Sequence, residues 1–96
     1  DEGGTAALCL AATHGHVEVV EALVKAGGDI TLKDDLRWNP LMCAAGEGQT
    51  AAVNTLIKAG SELNERDING DTALGLAVKY EHPETAEVLR KAGAKR

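Results

Sequence analysis

An all-α stack of helix–turn–helix units with short hairpin or turn extensions is the fold this chain predicts, on three observations. The first is a 33-residue grammar that returns in register without insertion or deletion. Leu23, Leu56 and Leu89 correspond, as do Lys25, Lys58 and Lys91, and Gly27, Gly60 and Gly93; upstream the register holds through Leu8, Leu41 and Leu74 and through Ala11, Ala44 and Ala77. The second is apolar spacing at three- and four-residue steps, as in Val17, Val20, Leu23 and Val24, which is helical rather than alternating. The third is composition. Apolar residues make up 44% of the chain, yet Trp38 and Tyr80 are the only aromatics, so the core is aliphatic and rich in alanine, as closely approaching helices require.

In the first copy a helix is expected from about Thr5, a candidate N-cap, to Thr13, with Leu8, Leu10, Ala11 and Ala12 on its packed side. Gly15 ends it, and a second helix runs from Val17 to a left-handed stop at Gly27. Glu18 and Glu21 meet the positive end of that helix dipole, and Lys25 falls in its last turn. The chain then runs out and back to about Trp38, with Asp34-Asp35 near the tip as a solvated polar turn. The second copy repeats the scheme with helices over Asn39–Ala45 and Ala51–Ala59, Pro40 taking the first helical position, where its missing N–H costs nothing. In the third, Pro83 plays that part for the second helix. Arg37 must make the turn that Gly70 makes freely, and Glu81 replaces Gly15 and Gly48, so both predict left-handed backbone at some cost.

Three segments carry a family resemblance: GGTAALCLAATHGHVEVVEALVKAGGDIT, then NPLMCAAGEGQTAAVNTLIKAGSELNERD, then GDTALGLAVKYEHPETAEVLRKAGA. A helix pair plus a hairpin at this period resembles the ankyrin repeat. The family's Thr-Pro-Leu-His appears here as Ala6-Ala7-Leu8-Cys9, Asn39-Pro40-Leu41-Met42 and Thr72-Ala73-Leu74-Gly75. The resemblance implies one ankyrin-type domain over 1–96, divided into repeats 1–33, 34–66 and 67–96. Val24 and Ile57 become Arg90, Val19 and Ala52 become Thr85, and Val20 and Val53 become Ala86, which predicts that the third copy is a C-terminal cap. Leu10, Val17, Val19 and Val20 stay as apolar as in an internal copy. The chain also opens without an initiator Met. The expectation is a fragment of a longer array, or a monomer whose first copy can self-associate through this end.

Formal net charge is −5, from 10 basic and 15 acidic residues, which argues against a general nucleic-acid or membrane-surface binder. No apolar run approaches membrane-spanning length and no signal segment opens the chain. Two cysteines at helical positions form no disulfide framework, so an intracellular compartment, cytoplasm or nucleus, is expected. His14 and His16 lack further ligands at metal spacing, Cys9 and Cys43 lack an adjacent base and read as small buried hydrophobes, and Gly3-Gly4 and Gly27-Gly28 are not phosphate loops. No cofactor, metal or catalytic constellation is predicted.

The resemblance implies a different kind of site. In such arrays the tips and the ends of the first helices form a concave, protein-facing surface. The matching positions are Glu2, Gly3, Thr5, Thr13 and His14, then Asp35, Leu36, Trp38, Gly46 and Glu47, then Ile68, Asn69, Asp71, Lys79 and Tyr80. Leu36, Trp38, Ile68 and Tyr80 are the expected apolar centre, since large aromatics most often anchor interfaces. Asp35, Glu47, Asp71 and Lys79 would set orientation toward a protein with basic groups at its rim, with Thr13 and His14 at the flank. Trp38 is expected to be removable with little effect on the fold. The rival expectation is a structural segment of a larger array, or an engineered scaffold with no ligand.

Overall fold

The computed structural model describes residues 2–95, with side chains from residue 7 onward. The contact positions Glu2, Gly3 and Thr5 therefore fall outside the described side chains. Among the described residues six helices follow in order: α1 (Glu2–Thr13), α2 (Val17–Lys25), α3 (Pro40–Gly46), α4 (Thr50–Lys58), α5 (Ala73–Lys79) and α6 (Pro83–Lys91). Helices α1, α3 and α5 pack one on the next in one layer, and α2, α4 and α6 do so in the other. Each consecutive pair is thus one rung of a stack.

Caps explain where the helices begin. Asn39 Oδ1 accepts from the Met42 N–H at 2.9 Å, and Thr72 Oγ1 accepts from the Gly75 N–H at 3.1 Å. Pro40 and Pro83 open α3 and α6 as expected. The first copy departs from the expectation: α1 starts at Glu2, so Thr5 lies inside the helix. The column that caps α3 and α5 holds alanine here, Ala6, which offers no acceptor to stop the helix.

The helix ends are uniform. Gly27, Gly60 and Gly93 take φ of 92°, 96° and 101°, and the following N–H groups of Gly28, Ser61 and Ala94 return to the carbonyls of Leu23, Leu56 and Leu89. Arg37 at φ 64° and Glu81 at φ 65° are left-handed, as their glycine counterparts require. Among the described residues the tips are closed turns without strands. Asp34 N–H donates to Trp38 O and Asp67 N–H to Asp71 O, while Ile68 N–H joins one tip to the next through Leu36 O at 3.1 Å.

Leucine and valine columns (Leu8, Leu41 and Leu74; Val20 and Val53; Leu56 and Leu89) are buried, and Ala11, Ala44 and Ala77 are buried between them. Burial also shows which way each column faces. Leu10 is 60% and Val19 48% exposed, whereas their counterparts Cys43 and Leu76, and Ala52 and Thr85, are buried against the preceding copy. Leu10 therefore does not lie on the packed side of α1. Thr85 and Ala86 do not mark a terminal flank either: both are buried, and the Thr85 hydroxyl lies 2.8 Å from that of Thr50 in the interface. Only Arg90, of the three changed positions, is exposed. An apolar column can be recognised in one copy, but the neighbour it faces is set by the direction of stacking.

One buried polar atom has no hydrogen-bond partner among the described residues: Ser61 Oγ, in a column that holds alanine at Ala94. Ser61→Ala is expected to raise stability by about 1 kcal/mol, because an unpaired buried hydroxyl is costly and alanine fits the equivalent place. A urea midpoint equal to or below wild type would contradict this.

Candidate functional site

Two aspartates organise the tips. Asp34 Oδ1 accepts from the N–H groups of Leu36 and Trp38, each at 2.9 Å, and Asp67 Oδ1 accepts from those of Asn69 and Asp71 at the same distance. Tip rigidity follows directly, since each turn is wound around a carboxylate. Asp67 does more. Its Oδ2 accepts from Trp38 Nε1 at 2.9 Å, which joins the second copy to the third. Burial works against its charge, but the Asp71 N–H, the Trp38 indole, the Asn69 N–H and nearby Lys79 outweigh it and hold the carboxyl below its usual range.

Trp38 is consequently half-buried and bonded, not a free side chain. The far edge of its ring covers Gly46 so closely that a Cβ there would come within 3.1 Å of it. This accounts for glycine in a column that holds Thr13 and Lys79 in the other copies. The expectation that the fold would hardly notice removal of Trp38 is corrected by these contacts.

Other predicted positions are more open. Leu36 is 46%, Ile68 57% and Tyr80 49% exposed. Leu36 and Ile68 occupy neighbouring tips joined by the Ile68 N–H bond. Tyr80 ends α5, with Lys79 Nζ 5.9 Å from its ring centroid and 3.3 Å from Asp71 Oδ2. The Asp71 bond and charge raise the Lys79 ammonium above its usual value. Asp35, Glu47 and His14 are exposed, and the His14 ring lies 5.9 Å from that of His16. Thr13 is half-buried: its hydroxyl donates to Cys9 O at 2.8 Å, and its carbonyl accepts from Gln49 Nε2 at 3.1 Å. The structure thus brings together Leu36 with Ile68, Trp38 with Gly46 and Asp67, and Asp71 with Lys79 and Tyr80.

Several contributors escape a reading copy by copy. Gln49 reaches back to Thr13 O, and His82 Nε2 lies 3.1 Å from Gly46 O in the same relation, both across 36 residues. Lys33 pairs with Glu65 at 3.0 Å, also between copies. Separations near the repeat period are the signal that would have found them. Cys9 and Cys43 are free thiols, half-buried and buried respectively; their mutual interaction lowers the Cys9 thiol and, with burial, pushes Cys43 up. Among the described residues no three His, Cys, Asp or Glu side chains gather as a metal site, and no helix is long and apolar enough to cross a membrane.

Comparison with known proteins agrees with this architecture. Residues 8–95 match a family model of ankyrin repeats in three copies. Over 90 residues the chain is 37% identical to an ankyrin repeat protein of fowlpox virus (strain NVSL). That alignment takes in 91% of the chain and 26% of the viral protein, so the chain spans about a quarter of that relative.

Proposed function

Because the chain belongs to the ankyrin repeat family, whose repeats generally mediate protein–protein interaction, we propose that it is a non-catalytic module that binds a protein through its tips and the ends of its first helices. One observation carries the reading: Leu36, Ile68 and Tyr80 are large apolar side chains left exposed on turns and a helix end that are themselves fixed by hydrogen bonds. Anchors positioned in advance lose little conformational entropy on binding. Trp38 supports the surface from beneath with part of its ring, and Asp71 and Lys79 orient a partner around Tyr80. Exposed Asp35 and Glu47 favour a partner with basic groups at its rim. Thr13 and His14 border the surface. An intracellular setting, cytoplasmic or nuclear, suits the two free thiols, and Arg90 supports a third copy that closes its end of the stack.

The test is a titration with a partner identified by crosslinking, comparing wild type with Tyr80→Ala and Ile68→Ala. Each is expected to weaken binding by about 1–3 kcal/mol while leaving the thermal midpoint within a few degrees. Unchanged affinity in both variants would retire the reading.

A second reading, a segment of a longer array, is favoured by exposed Leu10 and Val19, whose counterparts are covered by a preceding copy. It predicts self-association of the isolated chain through this end, relieved by Leu10→Lys. A strictly monomeric chain in sedimentation would count against it.

A further inference from the structure

We propose that Glu81 closes the third copy to any further stacked copy, whether one that follows in the same chain or one that a second molecule would add head to tail. The proposal rests on the reading of the third copy as the closing one, and names the residue that decides it.

Both interfaces within the chain use the same fastening. Gln49 reaches back over Gly15 to donate to Thr13 O at 3.1 Å, and His82 lies over Gly48 with Nε2 3.1 Å from Gly46 O. Each of these side chains needs glycine beneath it. A Cβ on Gly15 would fall on Gln49 Oε1, and one on Gly48 would lie within 2.8 Å of His82 Nδ1, Cγ and Cε1. The imidazole is a rigid plane, so it could clear a Cβ only by swinging off Gly46 O or by the copies moving apart.

In the third copy this column holds Glu81, and the carbonyl column holds Lys79. Glu81 has φ 65°, against 69° and 70° at Gly15 and Gly48, so its backbone has the same turn and its Cβ projects where the next copy's counterpart of Gln49 or His82 would lie. Left-handed backbone costs a glutamate more than a glycine. The exposed Glu81 side chain makes no ion pair among the described residues to offset that cost. The strain has no return within the fold, and its effect falls on what can dock. Beside Glu81, Val78, Pro83 and Ala86 floor an open depression of about 180 Å³, with Arg90 also lining it. Two charged side chains thus stand at an apolar end face where the earlier copies have Gly15 and Gly48, and Val24 and Ile57.

Two measurements test this. The first is a cycle at the existing interface between the second and third copies. Gly48→Glu puts the same side chain beneath His82 and is expected to lower the thermal midpoint on the order of 10 °C. In a His82→Ala background the loss should fall to about half, because the colliding ring is gone and only backbone strain remains. Equal losses in both backgrounds, or failure of both variants to fold, would overturn the proposal. The second extends the full chain by another copy of residues 64–96, which keeps the 33-residue period, and follows amide exchange in the added helices. Exchange is expected to be about tenfold slower, or more, with Glu81→Gly than with Glu81 in place. Equally slow exchange with Glu81 in place would overturn both this proposal and the closing role of the third copy. Fast exchange in both would overturn the part of Glu81 and leave that of Arg90 standing.

Discussion

Trp38→Ala should lower the free energy of unfolding by about 3 kcal/mol. Complete truncation of a buried Trp costs about 3–5 kcal/mol, and a half-buried ring forfeits roughly half of that. The rest comes from Asp67, a buried carboxylate that would lose its indole donor, a loss of about 1–3 kcal/mol. Trp38→Phe should recover most of the ring contribution but not the bond. Urea denaturation followed by circular dichroism separates the two contributions. A Trp38→Ala variant within about 0.5 kcal/mol of wild type would mean that the ring lies in solvent. Because the same substitution disturbs the tip beneath Leu36 and Ile68, its effect on binding is not a measure of direct contact. For that purpose Tyr80 and Ile68 are the cleaner probes.

Leu56→Ala is expected to cost about 2–5 kcal/mol, the range for a fully buried leucine whose cavity cannot collapse. The column permits a controlled comparison. Leu89 is equally buried but belongs to the third copy, whereas Leu23 in the first is only partly covered. In a stack, stability is close to a sum of units and interfaces, and loss of the central unit removes both interfaces at once. The expected order of damage is Leu56, then Leu89, then Leu23, measured by urea midpoints. Equal losses at Leu56 and Leu89 would show that the chain melts as one indivisible core.

Most of the fold was legible because each copy checks the others. One Gly27 would be a weak stop signal, but the recurrence at Gly60 and Gly93 made the helix ends unmistakable, and the structure has all three left-handed. The same comparison identified Arg37 and Glu81 as left-handed residues without the glycine that makes such backbone easy. What recurrence could not give was direction. Thr85 and Ala86 read as facing a following copy, and Leu10 as packed within its own, because a column's hydrophobicity does not say which neighbour covers it. Trp38 illustrates the other limit. Its position near a tip was readable, but its bond to Asp67, 29 residues on, depends on how closely the third tip approaches the second. Leu36, Ile68 and Tyr80 are exposed, as their places on turns and at a helix end imply.

Gln49 and His82 each bond a main-chain oxygen in the copy before their own, so these two fastenings are carried by the later arrival. A chain leaving the ribosome therefore presents its docking point before the side chain that grips it. Assembly can proceed vectorially, one rung closing on the last, without waiting for sequence still to be translated.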